Sequence, residues 1–132
     1  MGEGYIKKSK SNNWGTPKHI MEKYKNYFDP CPYMYKVDGL KIEWKDKNFV
    51  NPPFDKLNLW SKKVNEEVKK GKEVVLLIPA RTDTKYFHNY ILPLKPEIEF
   101  IKGRLKYIDL DNSSKKPLSA PFPSLLITFN KK

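Results

Sequence analysis

Phe49-Val50-Asn51-Pro52-Pro53-Phe54 is the stretch on which the fold turns, because an apolar pair runs straight into a rigid polar corner. Two successive prolines hold φ near −65° and offer no N–H, so no regular element passes through them. A strand over 48–50 must therefore end at Asn51. Working outward, Leu57, Trp60, Val64 and Val68 recur at three- and four-residue spacing, which predicts a helix over 57–70. Gly71 ends it as the C′ residue. Val74 to Ile78 is an unbroken apolar run of strand length and predicts a strand covered on both faces. Strand, helix, strand in this order is the unit of an α/β open sheet.

The remaining segments extend that sheet. Thr16-Pro17 reads as a helix start, with a hydroxyl N-cap and proline at the first helical position, for a helix reaching about Lys25. Tyr27-Phe28 enters a short strand ending at Asp29-Pro30. Residues 83–92 read as a second amphipathic helix closed by Pro93. Glu97–Lys102 and Arg104–Ile108 alternate as two strands joined around Gly103, residues 109–116 form a polar loop, and Ser124–Phe129 is a last apolar strand. Late strands after strand–helix pairs predict an antiparallel edge on the sheet.

Composition narrows the partners. The chain has 132 residues, with 26 Lys+Arg against 15 Asp+Glu and a formal net charge of +11. That excess attracts polyanions and favours nucleic acid over an acidic membrane surface. No apolar run approaches the 18 residues or so that a membrane span needs. No signal sequence opens the chain, so cytoplasm is the expected compartment. One cysteine excludes an internal disulfide, and Cys31 with His19 and His88 makes a poor metal set, so no metal is expected. Residues 1–13, with Lys7, Lys8 and Lys10, read as a flexible basic arm ahead of a single domain over 14–132.

Ligands of open α/β sheets gather at the carboxyl ends of strands. Three predicted strand ends carry polar groups: Asp29, Asn51 and the segment Pro79–Thr82. At the second, the Asn51 side-chain carbonyl and the proline carbonyls converge beside the flat Phe54 ring. That suits a planar ring with an amino group, such as an adenine flipped out of a nucleic acid. A proline turn after a strand is the plainer reading of the same four residues.

Asn51-Pro52-Pro53-Phe54 resembles the (Asp/Asn/Ser)-Pro-Pro-(Tyr/Phe/Trp) motif of amino-group methyltransferases. In order along the chain, Trp14-Gly15-Thr16-Pro17, Phe28-Asp29-Pro30-Cys31, Asp38-Gly39-Leu40 with Trp44, Leu77–Thr82, Gly103-Arg104-Leu105 and Ala120–Ser124 are similar to the small phage-type DNA N-6-adenine methyltransferase family. The resemblance implies a minimal Rossmann-like S-adenosylmethionine-dependent methyltransferase fold, a mixed open sheet flanked by helices. It implies methyl transfer from S-adenosylmethionine to N6 of adenine in double-stranded DNA, with Asn51, Pro52, Pro53 and Phe54 catalytic. Trp14, Thr16, Pro17, Asp29, Pro30 and Asp38 would then hold the cofactor: Asp29 would face its ammonium and Asp38 its adenine amine. Arg81, Lys102 and Arg104 are the expected nucleic-acid contacts, and a homodimer stays open.

No glycine-rich turn follows Asp29, which points to a minimal cofactor pocket or a degenerate one. An RNA or protein-glutamine methyltransferase of the same fold, or a non-catalytic nucleic-acid-binding module, fits the same residues. His19 and His88 have no evident catalytic partner, and Trp60 belongs to the core face of its helix.

Overall fold

The computed structural model describes residues 14–32, 38–109 and 117–132. The basic arm of 1–13 and most of the polar loop expected over 109–116 lie outside them. In chain order the elements are β1 (Trp14–Gly15), α1 (Lys18–Lys23), β2 (Lys47–Val50), α2 (Leu57–Lys69), β3 (Glu73–Pro79), β4 (Glu97–Phe100), β5 (Lys106–Asp109), β6 (Pro117–Ser119) and β7 (Ser124–Phe129). A mixed four-stranded sheet has the order β2-β3-β7-β4, and a small three-stranded sheet the order β1-β5-β6. No helix among the described residues is long and apolar enough to cross a membrane.

β2 and β3 are parallel, with Val50 beside Leu76. Phe28 adds a one-residue parallel bridge at Asn48, on the other edge of β2. β7 runs antiparallel to both β3 and β4, so β4 points the same way as β3. The reversed strand is thus inside the sheet and not at its edge, as the sequence pattern had implied. The reason lies in the side chains. Ser124 to Phe129 is buried at five of six positions and can be flanked on both sides. Glu97-Ile98-Glu99-Phe100 is mostly exposed, and its charges suit an edge.

Alternate residues of β3 enter two cores. Val74, Leu76 and Ile78 meet Leu57, Trp60, Val64 and Val68 of α2, with Phe87 and Ile91 beyond. Val75 and Leu77 join Phe49, Ile20, Phe54, Leu105 and Tyr107 on the opposite face. All seven β3 residues are therefore buried. Trp60 is 1 % exposed, in the core as its helical position predicts. Gly71 adopts φ +93° and its N–H closes on the Val68 carbonyl, which ends α2 where the glycine stands.

Three local expectations fail for identifiable reasons. Pro17, not Thr16, occupies the N-cap of α1, and no side chain caps that helix; the Thr16 hydroxyl is taken by Asn51 instead. Residues 87–91 widen into a π-helical turn, followed by a 3₁₀ turn over Leu92–Leu94 that contains Pro93. There the Leu92 N–H reaches back to the Phe87 carbonyl, and Asn65 of α2 donates to the Tyr90 carbonyl. Finally, β4 and β5 do not form a hairpin. Gly103, at φ +76°, turns the chain out of the large sheet so that β5 pairs with β1 and β6.

Candidate active site

Because Phe28, β2, β3 and β4 all point one way, Asp29, Asn51, Ala80 and Ile101 follow strand ends on the same side of the molecule. The start of β7 lies there too, since Pro79 is registered with Ser124. The carboxyl-end face expected for a ligand is thus formed by segments far apart in sequence, whereas a cavity lined by Tyr24, Tyr27, Glu73, Glu97 and Thr128 lies at the other end of the strands.

On this face Asn51 is half-buried and donates through Nδ2 to Thr16 Oγ1 at 3.1 Å. Thr16 is 8 % exposed, so the bond is shielded from water and holds the amide in one orientation. The Pro53 carbonyl accepts the Lys56 N–H and starts the turn into α2. Among the described residues no N–H bonds to the Pro52 carbonyl, which leaves that acceptor beside the Asn51 amide.

Phe54 is buried, at 9 % exposure, with Phe122 edge-on at 5.1 Å and Tyr107 edge-on at 6.1 Å between centroids. The Tyr107 hydroxyl shares a hydrogen bond of 3.0 Å with Ser124. Burial pushes the Tyr107 hydroxyl up to about 12, with the Ser124 bond acting the other way, so the phenol stays protonated. Tyr107 and the half-buried Phe122 were not assigned to the site from sequence. The signal available was an aromatic ring held between Pro121 and Pro123.

Asp29 and Asp38 come together through a close contact. A Cβ on Gly39 would fall 1.8 Å from the Pro30 carbonyl oxygen and 2.9 Å from Trp60. Only glycine lets the two acidic segments approach so closely. The Gly39 carbonyl accepts the Trp44 indole N–H at 2.8 Å, which fixes the turn from behind. Asp29 Oδ1 accepts the Cys31 N–H and Asp38 Oδ1 the Leu40 N–H, each at 2.9 Å. Asp38-Gly39 is therefore a side-chain-supported turn, as Asp-Gly sequences favour. Neither carboxylate is ion-paired with lysine or arginine among the described residues. Asp29 is exposed at the surface, yet desolvation by the atoms around it raises its carboxyl above the ordinary range, the Cys31 N–H opposing that. The Cys31 thiol is pushed up to about 12 by burial and by Asp29 and Asp38, which keeps it a neutral thiol.

Gly39→Ala is expected to destabilise the fold by about 1–3 kcal/mol or more, because backbone has to move to admit the methyl. Urea denaturation measures this. A midpoint equal to the parent's would mean that the two acidic loops are not in contact.

The basic candidates stand apart. Arg81 is exposed just past β3, where the His88 ring bonds the Thr82 carbonyl at 2.7 Å. Lys102 and Arg104 are exposed beyond β4. From Phe28 across β2, β3 and β7 to β4 is four strand spacings, about 19 Å from the acidic loops. The Trp14 backbone pairs with Asp109 of β5 and Gly15 with Ile108, and Pro17 is buried at the start of α1.

Topology and strand ends together define a mixed open-sheet α/β protein whose polar loops gather where the parallel strands end. A model of the DNA N-6-adenine-methyltransferase (Dam) family matches residues 31–132, and the chain belongs to that family. No curated protein and no solved structure matches the chain. Trp14, Thr16, Pro17, Asp29 and Pro30 precede the matched span, and their tie to it is physical: Thr16 to Asn51, and Pro30 to Gly39.

Proposed function

We propose that this protein transfers a methyl group from S-adenosylmethionine to N6 of an adenine flipped out of double-stranded DNA, as a site-specific adenine methyltransferase. The observation that carries the reading is the Asn51-Pro52 acceptor pair at the end of a parallel strand, in a chain of the DNA adenine methyltransferase family. On this reading the mixed sheet is a minimal Rossmann-like methyltransferase sheet, residues 14–132 form one catalytic domain, and 1–13 is a basic arm.

The acidic loops fit the cofactor's charge. Two carboxylates on touching loops, neither ion-paired among the described residues, suit an ammonium and an amine, Asp29 taking the first and Asp38 the second. Trp14, Thr16, Pro17 and Pro30 would close that pocket. When bound, S-adenosylmethionine supplies a methyl group made electrophilic by its sulfonium.

The chain's own residues prepare the acceptor. An adenine amine is a weak nucleophile because its lone pair is delocalised into the ring. The Asn51 Oδ1 and the Pro52 carbonyl accept its two hydrogens, draw the nitrogen toward tetrahedral geometry and stabilise the positive charge that gathers there. Phe54, braced edge-on by Phe122 and Tyr107, is a rigid wall for the ring. Thr16 keeps the Asn51 amide turned so that the oxygen, not the nitrogen, meets the amine. No covalent intermediate is needed, and the surplus proton leaves the nitrogen for water once the methyl is bound; positioning and two fixed carbonyl dipoles carry the catalysis.

Tritium transfer from labelled S-adenosylmethionine to unmethylated duplex DNA, with RNA in parallel, tests the reading. Label recovered as N6-methyladenine from DNA is the expected result. Label in RNA alone would change the substrate, and no label with no cofactor binding would leave a nucleic-acid-binding module. The positioning role of Thr16 has its own test. A net hydrogen bond is worth about 1 kcal/mol, so Thr16→Val should lower transfer about fivefold. Thr16→Ser should restore it. Equal rates for Thr16→Val and the parent would remove Thr16 from the mechanism.

A further inference from the structure

The even-numbered residues Phe100, Lys102, Arg104 and Lys106 are all exposed, whereas Leu105 and Tyr107 between and after them are buried. Three cations and no acid thus stand on one short segment around the bend at Gly103, led by an aromatic ring that is 71 % exposed. The segment is anchored beside the candidate active site, not adrift on the surface. The Ile101 N–H donates to the Ser124 carbonyl, the Ala120 N–H to the Leu105 carbonyl, and Arg104 to the Ala120 carbonyl at 3.4 Å. Lys106 is registered with Ser119. The strip from Ser119 to Ser124 that receives these bonds carries Phe122, which touches Phe54.

We infer that Lys102, Arg104 and Lys106 form a phosphate track that holds the DNA strand beside the flipped adenine. The inference rests on DNA being the substrate. The chain bends at Gly103, so Lys102, Arg104 and Lys106 stand in a cluster around that bend, between the end of β4 and the start of β5. A DNA strand carries one charge per about 3.4 Å of axis, so three successive phosphates fall within about 7 Å of axis, short enough for one cluster of three cations. The opposite end of the carboxyl-end face holds the carboxylates Asp29 and Asp38, which repel a backbone. The site is therefore polar in the electrostatic sense, with its acidic end for a cationic cofactor and its basic end for a polyanion. Phe100 at the head of the segment offers a face to a sugar or an unstacked base.

Counterion release makes this measurable. Each phosphate contact adds about 0.9 to the slope of log Kobs against log salt concentration. The variant Lys102→Gln/Arg104→Gln/Lys106→Gln should have a slope shallower than the parent's by about 2.7. The control Lys62→Gln/Lys69→Gln/Lys95→Gln removes the same charge from exposed positions on α2 and after the 3₁₀ turn. Its slope should equal the parent's. Thermal midpoints of both variants, read in parallel, report folding. A first variant whose slope falls no further than the control's overturns the track. A parent protein that binds no DNA at any salt concentration overturns the substrate reading itself, and the track with it.

Discussion

Asn51→Ala should lower methyl transfer by about 10²–10³-fold while the thermal midpoint stays close to the parent's. The expected size comes from the role given to the amide. A fixed dipole aimed at charge that develops only in the transition state contributes little to binding and much to rate. The environment supports the large figure: Asn51 is half-buried, and its partner Thr16 is shielded from water. Little is lost in stability, because the backbone of this corner is held by two prolines and the Asn51 side chain fills no part of either core. Asn51→Asp is the informative companion. It keeps an acceptor, lets the Thr16 hydroxyl turn round to donate, and should retain far more activity than alanine. Single-turnover rates on duplex DNA measure both. Near-parental transfer by Asn51→Ala would remove the amide from the chemistry and leave Asn51-Pro52-Pro53-Phe54 as a structural corner.

What sequence could reveal of this fold follows from how far each signal reaches. α2, β3 and β7 stand where their patterns put them, since an amphipathic period or an apolar run is local information. Gly71 acted as a helix stop for the same reason. β1 and β6 are two and three residues long and exist only because β5 lies between them; nothing within two residues announces a distant partner. The hairpin expected around Gly103 failed on similar grounds. Alternation marked both strands, but Leu105 and Tyr107 were drawn to the core beneath the small sheet.

The candidate site divides the same way. Asp29, Asn51 and the end of β3 were placed together by the rule for open sheets, and the topology aligns them. The Thr16–Asn51 bond spans 35 positions and replaced a local cap that looked sufficient by itself. Phe54 is more enclosed than an open stacking platform would be, because Phe122 and Tyr107 arrive from the late part of the chain.

Glu67→Ala should cost about 3–5 kcal/mol, a large part of the roughly 5–15 kcal/mol that keeps a domain of this size folded. The Glu67 side chain is fully buried and bonded to Lys72 at 2.6 Å, Lys63 at 2.9 Å and Lys70 at 3.3 Å. It also accepts the Trp44 backbone N–H at 3.1 Å. Trp44 in turn holds the Gly39 carbonyl, so the carboxylate braces the turn that carries Asp38. Removing it takes the ion partner from Lys63, whose side chain is only 11 % exposed, and leaves Lys72, 12 % exposed, with Glu43 and the Trp44 carbonyl. Burial by itself would raise the Glu67 carboxyl, but the bonds from Lys72, Lys63, the Trp44 N–H and Lys70 outweigh it and bring it down to about 2. A carboxyl lower in the folded than in the unfolded chain stabilises above the unfolded value, near 4.5, and loses that contribution as the pH falls toward 2. The linked stability is about 3 kcal/mol, consistent with the expected cost of the substitution. In Glu67→Gln the stability difference from the parent should therefore be widest at neutral pH and close between about pH 5 and pH 2. Urea midpoints across that range measure it. If the two proteins lose stability in parallel on acidification, the lysine cluster around Glu67 is not what makes this fold acid-sensitive.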